Sequence, residues 1–332
     1  MGTIPAAIIG LGRIASLLED DPLREKPCTH AGALVASGRC AITGGMDREA
    51  DRRRSFSRRW NTPAFDDARA MVRAVKPQIL VIASDPESHT RYVRLAVRES
   101  VPVVICEKPL AHNLLSARRI VRLERSGKSR VVVNHERRFS RDYRLVRDAV
   151  MREQFGELLS VRGILYFGKT ARHDQVLLHD GTHLIDAIHY VCDDRIGVTR
   201  RVGNVRSSDS TVYVHGTLKG RSIPVVLEVG AGRDFLHLET ELTFSAGRIR
   251  VGNGIFSWER SEKSPYYTGY RSLAPQPRIV PSPTGYFSGM VQEAIRLVDD
   301  PRGRSRSSAA DAWEALRVVD RACGGMSSLV LR

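Results

Sequence analysis

Lys108 is the residue of this sequence best placed to do chemistry, because an apolar run of strand length ends there, in the tripeptide E-K-P at 107–109. In an open parallel sheet, ligands bind beyond the carboxyl ends of the strands, so a charged residue at that end points into the ligand crevice. Pro109 cannot donate a ladder hydrogen bond, so the strand ends at the lysine. The alternative interpretation of Glu107 and Lys108 is an ordinary solvated strand end.

A second group of polar side chains recurs in the sequence H-D-G-T-H-L-I-D-A-I-H at residues 179–189, where Gly181 leaves a helix unassured. Histidine suits general acid–base catalysis because its unperturbed pKa lies near neutral pH. His179 and His183 also have the i, i+4 spacing of a zinc-binding helix face, with Asp186 and His189 following. No glutamate base follows His179, so we expect no metal. Asp186 and His189 are expected to be structural.

The amino terminus carries a nucleotide-binding pattern. Ile4–Ile9 predicts a buried strand, and it runs directly into G-L-G-R-I-A at 10–15. In this pattern Gly10 permits a tight turn, Gly12 lets the backbone approach a pyrophosphate, and the small Ala15 lets a following helix pack on the strand. The pattern predicts a dinucleotide site, with a helix expected after the turn.

Asp47 supplies the acid that usually ends the second strand of such a domain, here the predicted strand Cys40–Met46. It lies farther from the glycines than is usual, because a polar insertion precedes the predicted helix Ala31–Ser37. A carboxylate there would accept hydrogen bonds from the ribose of NAD, whereas the adjacent Arg48 could hold the 2′-phosphate of NADP. Both cofactors stay open, as does a simple helix-capping role for Asp47.

The rest of the first half alternates strand and helix, which predicts a doubly wound parallel sheet of the Rossmann type. Beyond Phe139, short alternating strands without long helices between them predict a C-terminal α+β domain with an open-faced, antiparallel-rich sheet. We therefore expect domains at 1–122 and 123–332, with the C-terminal helices at 286–323 packing back toward the first. One strand is predicted at Val202–Val205, and Ser264–Pro283 is predicted to be a loop.

Composition limits the function classes. The net charge of +15 would favour nucleic acid, but only seven of the 52 basic residues are lysine and the arginines are scattered among acids. With no nucleic-acid-binding signature, we expect no nucleic-acid partner. No uncharged run is long enough to span a bilayer, so no membrane association is expected. Five widely spaced cysteines, an odd number, favour reduced thiols and a cytoplasmic protein.

Five motifs in the same order resemble the glucose-fructose oxidoreductase / inositol dehydrogenase / MocA family across nearly the whole chain. They are G-L-G-R-I-A at 10–15, S-D-P-E-S-H at 84–89, E-K-P-L at 107–110, N-H-E-R-R-F at 134–139 and G-T-H-L-I-D at 181–186. The resemblance implies an NAD- or NADP-dependent oxidoreductase that acts on a sugar, cyclitol or sugar derivative. It also implies a homo-oligomer, a dimer or tetramer, formed through the C-terminal sheet.

The same resemblance implies roles for individual residues. Lys108 would lie beside the nicotinamide and the reacting carbon, and His183 would be the general acid–base. Arg138 is expected to bind substrate, and His30, in T-H-A-G-A at 29–33, is expected near the active site in the same role. The expected cofactor-binding residues are Gly10, Gly12, Arg13, Ile14, Asp47, Arg48, Ser84, Pro86, His89, Glu107, Lys108 and Asn134.

One position departs from the family pattern. The family has an aspartate four residues before the catalytic histidine, and here that position is His179, with Asp180 displaced by one. On a helix Asp180 could still orient His183 at i, i+3. We therefore include His179 and Asp180 among the candidate catalytic residues.

The sequence thus predicts hydride transfer between nicotinamide and a secondary alcohol or ketone of a small sugar-like molecule. Two other functions stay open. The same fold can use bound NAD transiently in redox-neutral glycoside processing. A non-catalytic sensor of dinucleotide or sugar would keep the nucleotide site without chemistry, although keeping both Lys108 and His183 counts against it.

Overall fold

The computed structural model of the chain describes residues 2–168, 171–277 and 283–325. Two compact units make up the protein. The first comprises residues 1–140 and 283–313, and the second comprises residues 141–282 and 314–332.

The first unit is built on a six-stranded parallel sheet in the order β3-β2-β1-β4-β5-β6. Its strands are β1 (Ile4–Ile9), β2 (Cys40–Met46), β3 (Ala64–Phe65), β4 (Ile79–Ile82), β5 (Val103–Cys106) and β6 (Arg130–Val133). β1, β4 and β5 are short runs made mostly of Ile, Val, Leu and Ala, and they are almost wholly buried. Such two-sided burial is what a parallel sheet covered on both faces requires.

Helices connect these strands: α1 (His30–Ala36), α2 (Ala50–Trp60), α3 (Ala68–Val75), α4 (Pro86–Arg98) and α5 (Leu114–Arg125). The strand and helix alternation predicted for this half is therefore observed. Because β6 pairs with β5 in parallel, the first unit runs to residue 140 rather than ending at 122.

The glycine turn departs from expectation, because no α-helix follows it directly. Residues 12–16 form a single turn, and Leu17–Asp20 is a short 3₁₀ helix. The polar insertion then closes on itself, since the Glu19 carboxylate accepts hydrogen bonds from the Thr29 hydroxyl at 2.6 Å and the Cys28 N–H at 3.2 Å. Thr29 caps α1, so the regular helix begins only at His30.

The second unit is an eight-stranded sheet in the order β14-β13-β12-β11-β7-β10-β9-β8. Its strands are β7 (Leu158–Tyr166), β8 (Ile196–Val202), β9 (Val212–Leu218), β10 (Ile223–Gly230), β11 (His237–Phe244), β12 (Gly247–Gly252), β13 (Ile255–Lys263) and β14 (Arg271–Pro275). β7 and β10 are parallel, and the other neighbouring pairs are antiparallel. The predicted antiparallel-rich sheet is confirmed.

Helices cover one face of this sheet. They are α6 (Arg141–Met151), α7 (His173–Val176) and α8 (Thr182–Cys192), with a π-helical turn, Leu177–Gly181, leading into α8. α8 packs on β7 and β11, and α6 packs on β12 and on α8. On the exposed side, charged residues form ion pairs between strands, such as Arg162 with Glu228 and Arg250 with Glu239.

Two predictions about this unit were wrong. A strand was expected at Val202–Val205, but Val202 is the last residue of β8. The prediction misplaced this strand because its arginine-rich sequence lies at an exposed sheet edge and has few buried residues. The expected loop Ser264–Pro283 contains β14, an edge strand that pairs with β13 but has no fully buried residue. Residues 278–282 of that predicted loop lie outside the described residues.

Two helices end the chain, α9 (Tyr286–Asp299) and α10 (Ala309–Cys323). Within the first unit, α9 packs on α1, β5 and β6 through buried residues that include Met290, Val291 and Ala294. Within the part of the chain that the structure describes, no helix combines the length and hydropathy needed to cross a bilayer.

Candidate cofactor and active site

The turn after β1 forms a cradle of bare backbone. Gly10 has φ +85°, and a Cβ at this position would come within 2.6 Å of the Ala83 carbonyl oxygen. A Cβ on Gly12 would meet nothing closer than the Arg52 guanidinium, at 3.9 Å. Ala15 is fully buried, and its carbonyl accepts the N–H of Ala31, at the start of α1. The cradle fits the phosphates of a dinucleotide, which approach the backbone closely at such a turn.

Asp47 lies beside this cradle, at the end of β2. One carboxylate oxygen accepts the N–H of Leu11 at 2.8 Å, and the other accepts the N–H of Glu49 at 2.9 Å. The Arg52 guanidinium approaches the first oxygen at 3.6 Å. Arg48 is exposed. Asp47 therefore joins the glycine turn to the start of α2 and holds a negative charge there.

Other expected cofactor residues flank the same sheet edge. Arg13 is exposed and Ile14 is half-buried, both within the turn after the glycines. Ser84 follows β4, and its hydroxyl lies 2.7 Å from that of Ser88. Pro86 is the first residue of α4, where its fixed φ suits the start of a helix.

His89 is held within the first unit by two backbone carbonyl groups, and its cofactor contact stays a prediction. The ring is fully buried, its Nε2 lies 2.9 Å from the Ser84 carbonyl oxygen, and its Nδ1 lies 3.2 Å from that of Leu110. Burial lowers the pKa of this histidine below its ordinary value. His89 therefore braces the loops after β4 and β5, and any effect on a cofactor passes through Ser84.

Glu107 and Lys108 follow the end of β5, and Lys108 is half-buried. One Glu107 carboxylate oxygen receives hydrogen bonds from His30 Nε2 at 2.7 Å and from Asn134 Nδ2 at 2.5 Å. The other oxygen accepts the backbone N–H of Lys108 at 3.2 Å. Three elements, α1, β5 and the end of β6, therefore meet at one carboxylate directly beside the candidate catalytic lysine.

The charge of this carboxylate follows from its partners. Burial alone would raise the pKa of Glu107, but the hydrogen bonds from His30 and Asn134 and the nearby Lys108 charge leave that pKa below its ordinary value. Glu107 is therefore an anion at neutral pH. A carboxylate without a proton can only accept hydrogen bonds, so His30 and Asn134 must donate to it.

This requirement fixes the amide of Asn134. Its NH₂ group must face Glu107, so its carbonyl oxygen points the other way, buried and without a hydrogen-bond partner in the ranges the structure describes. A buried acceptor in this state calls for a donor from a ligand. The nicotinamide carboxamide has such a donor, so this residue also fits the cofactor.

Two expected substrate-binding residues are buried in the first unit. The His30 ring is closed off from solvent and packs edge-on against Phe287, and its expected contact with substrate stays a prediction. Arg138 donates to the Arg306 carbonyl at 2.9 Å, and its guanidinium lies 3.6 Å from the Asp311 carboxylate. Its substrate contact stays a prediction.

The second unit carries the other candidate catalytic group. His183 is in the first turn of α8 and is 8% exposed. The π-helical turn before it, with its i→i+5 bonding, has more residues per turn than an α-helix. At roughly 80° per residue in the π-helical part and 100° in the α-helical part, His179 comes about one full turn before His183. His179 occupies the fourth position before His183, where the family that the sequence resembles has an aspartate.

Asp180 contacts the neighbouring His179. The Nδ1 atom of the exposed His179 lies 3.0 Å from an Asp180 carboxylate oxygen. Such a contact fixes the tautomer of an imidazole and leaves its Nε2 to face outward. The structure therefore brings His179 and Asp180 together as a pair.

The remaining polar residues of α8 are internal. His189 is buried, and its Nε2 accepts the backbone N–H of Ile196 at 3.1 Å; Asp186 is fully buried. No cluster of three or more potential metal ligands occurs in the described parts of the chain. His189 thus accepts a structural hydrogen bond.

Sequence reasoning missed Glu19. A Cβ on Gly32 would lie 2.3 Å from the Glu19 carboxylate, so that glycine leaves room for the acid that holds Thr29. A glycine in the first turn of a short helix, after a threonine cap, was the available signal. Glu19 matters because it determines where α1 and His30 begin.

Comparison with known proteins agrees with this geometry. Residues 4–135 match a family model described as an oxidoreductase family with an NAD-binding Rossmann fold. An inositol 2-dehydrogenase/D-chiro-inositol 3-dehydrogenase of Shouchella clausii is 29% identical over 196 residues, which cover 58% of this chain and 54% of that protein. An inositol 2-dehydrogenase of Salmonella typhimurium is 25% identical over 196 residues, 58% of this chain and 55% of that one. The chain thus spans about half the length of these curated relatives.

One solved structure extends the likeness to the whole fold. A putative NADPH-dependent oxidoreductase from Desulfitobacterium hafniense has a TM-score of 0.81, at 14% identity over 98% of this chain and 95% of that one. At this identity the match establishes the shared fold, in which both units have counterparts.

Proposed function

We propose that the chain, whose residues 4–135 match the NAD-binding Rossmann model of an oxidoreductase family, is a nicotinamide-dependent dehydrogenase or reductase of the glucose-fructose oxidoreductase, inositol dehydrogenase and MocA family. The proposed reaction moves a hydride between the nicotinamide and a secondary alcohol or ketone. The proposed substrate is a polyol, cyclitol or sugar derivative.

Lys108 carries this proposal. Its ammonium group is delivered at the carboxyl end of β5, on the same sheet edge as the Gly10–Gly12 cradle after β1. The buried anion of Glu107 lies next to it in the chain. A cation fixed at this edge would hydrogen-bond to a substrate oxygen and favour the charge that develops there.

The cofactor would be held by the glycine cradle, Asp47, Ser84 and Asn134. When bound, the nicotinamide supplies a carbon that accepts or gives a hydride. We propose NAD as the preferred form, because the buried Asp47 carboxylate can accept from ribose hydroxyls and would repel a 2′-phosphate. Asp47→Ser should then weaken NADH binding and narrow its advantage over NADPH, whereas an unchanged NADH/NADPH ratio would contradict this role.

His183 is the proposed acid–base group. In the oxidative direction it takes the hydroxyl proton while the carbon–hydrogen bond breaks, and in the reductive direction it returns that proton. His179, oriented by Asp180, would accept the proton next and pass it to solvent. This role for the pair follows from its exposure and from its position one turn before His183.

The substrate class rests on chemistry and on the relatives. The two relatives are named for oxidation of inositols, which are rings bearing only secondary hydroxyl groups. We propose that this chain acts on a molecule of that kind, a cyclitol or a sugar with a free secondary hydroxyl.

Assembly and location complete the proposal. The exposed face of the second sheet carries paired charges, for example Arg248 with Glu259, and we propose that it meets the same face of a second copy. Arg162→Glu, which places like charge beside Glu228, should lower the mass measured by light scattering if this face pairs subunits. All five cysteines are free thiols, which supports the cytoplasm.

The test of the proposed function is turnover. Purified protein with NAD and a panel of inositols, sugar alcohols and sugars should produce NADH in amounts equal to the oxidised product. Product formed without net NADH would indicate the redox-neutral alternative. Cofactor binding without any product would indicate the sensor.

A further inference from the structure

We infer that His30, delivered by the polar insertion between the glycine turn and α1, is a positioning residue that fixes Lys108 through Glu107. The inference rests on the proposed function, in which Lys108 acts on the substrate. It also assigns a purpose to the insertion, whose residues the nucleotide-binding pattern does not require.

The insertion is closed by one internal contact and anchored to the rest of the first unit by two others. Glu19 holds Thr29, the cap of α1. Asp20 pairs with both terminal nitrogens of Arg59 on α2, at 2.6 and 2.8 Å. The Glu25 carboxylate accepts the backbone N–H groups of residues 284 and 285, each at 2.8 Å, just before α9. These contacts set the position at which α1 starts.

α1 starts with His30, and the surroundings of the ring leave it one hydrogen-bonding orientation. Phe287 lies edge-on to the imidazole at a centroid distance of 5.3 Å. The Nε2 atom lies 2.7 Å from a Glu107 carboxylate oxygen, across 77 residues of sequence. The ring is completely buried, so it can touch neither solvent nor a bound substrate.

Glu107 transmits this constraint to Lys108. The carboxylate holds His30 and Asn134 on one oxygen and the backbone N–H of Lys108 on the other. Removing the His30 donor leaves a buried anion with one partner fewer, which favours a change of rotamer. Because the second oxygen bonds the backbone of Lys108, such a change moves the start of the lysine side chain.

The arrangement also holds a charge near the lysine. The Glu107 anion is fixed by donors on one side and by the charge of Lys108 on the other. Without His30, the carboxylate would be free to turn toward the ammonium group and pair with it. Lys108 would then be less available to a substrate oxygen.

The experiment compares His30→Leu and His30→Gln with the control Phe287→Leu. Leucine removes the donor, and glutamine keeps an N–H donor near the Nε2 position. Phe287→Leu loosens packing around the ring without touching Glu107. Each variant is assayed for kcat, KM, NADH affinity, thermal midpoint and the rate at which an amine-reactive ester labels Lys108, read by mass spectrometry.

We expect His30→Leu to lower kcat by about 10- to 100-fold, the range for a small misplacement of a reacting group. NADH affinity should change less than about threefold, because no cradle residue is altered. His30→Gln should recover most of the loss, and Phe287→Leu should lower only the thermal midpoint. Labelling of Lys108 should become several-fold slower in His30→Leu, because its ammonium group then pairs with the Glu107 carboxylate, and it should stay unchanged in Phe287→Leu.

Two results would overturn the inference. One is a folded His30→Leu protein with the wild-type kcat and labelling rate. The other is an equal loss of kcat in Phe287→Leu, which would show that His30 acts only through packing. The labelling rate needs no substrate. If wild-type protein shows no turnover but labelling of Lys108 slows in His30→Leu alone, the proposed function fails and the positioning role stands.

Discussion

The two groups of candidate catalytic residues are held in different ways. Around Lys108, the polar atoms are buried and joined by hydrogen bonds between three elements of a parallel sheet unit. Around His183, the groups lie along one helical stretch, and a π-helical turn determines which of them align. The first arrangement depends on contacts far apart in sequence, and the second depends on a local change of helical pitch.

This difference predicts how each group responds to substitution. In the first unit, a change in one member alters several bonds, because Glu107 is shared. Near His183, a change should act on proton transfer and leave the fold intact, because His179 is exposed. The predictions below test that contrast, starting with the largest expected effect.

Lys108→Ala should lower kcat by about 10³-fold, as expected when a fixed charge that stabilises the reacting oxygen is lost. NADH binding should change little, because the glycine cradle is untouched. Steady-state kinetics with a cofactor titration measure both. The matched control is Lys128→Ala, which changes an exposed lysine of the same unit and should leave both kcat and NADH binding unchanged. An unchanged kcat in Lys108→Ala would refute the assignment.

His183→Ala should lower kcat by about 10²-fold and remove the pH dependence of hydride transfer near neutrality, because the titrating base is gone. Pre-steady-state measurement of the hydride-transfer rate across pH 5.5–9 would record the loss of this pH dependence. His183→Gln, which keeps polarity without titrating, should behave like the alanine variant. If the wild-type profile persists, another group is the base.

His179→Ala should reduce kcat by about tenfold, since an exposed proton carrier is lost while His183 is kept. His179→Asp, which restores the acid usual in the family at this position, should retain more activity than alanine. The ratio of the two kcat values is the measurement. Equal values for wild type and both variants would show that the His179–Asp180 pair has no part in the reaction.

Glu107→Gln should destabilise the fold by about 1 to 3 kcal/mol at pH 7, the usual range for hydrogen bonds to a charged group. The pKa of Glu107 is lowered in the folded chain, so the stability from its ionisation is present above the ordinary value of 4.5. That stability is lost as pH falls through the folded pKa. The difference in thermal midpoint between wild type and Glu107→Gln should therefore shrink in acid.

A matched control makes this pH test specific. Glu87→Gln changes an exposed glutamate of the same unit, in the first turn of α4, and should leave the thermal midpoint nearly unchanged at both pH values. A gap for Glu107→Gln that stays constant between pH 7 and pH 4 would mean that its ionisation does not stabilise the fold.

The same contrast explains how much the sequence could predict. Strands such as β4 and β5 are continuous apolar runs, so their positions follow from composition and from the turn residues around them. β14 was missed because an edge strand without buried residues has no such pattern. Helix α10 was found because its apolar residues recur at helical spacing.

The site was predictable only in part, for related reasons. The glycine cradle and Lys108 belong to short sequence motifs that have a fixed place in the fold, so both could be predicted. The His30–Glu107 bond joins residues 77 apart, so no local pattern could reveal it. The π-helical turn was equally hidden, because it depends on how α8 packs and leaves no composition signal at His179.

Separate titration of the purified protein with NADH and NADPH, followed by addition of inositols and related polyols with NAD, tests the central claim most directly. We predict tight binding of NADH, weaker binding of NADPH, and reduction of NAD that requires both a polyol and Lys108. Failure of both cofactors to bind would contradict the account at its base, since the cradle at Gly10 and Gly12 would then have no dinucleotide to hold.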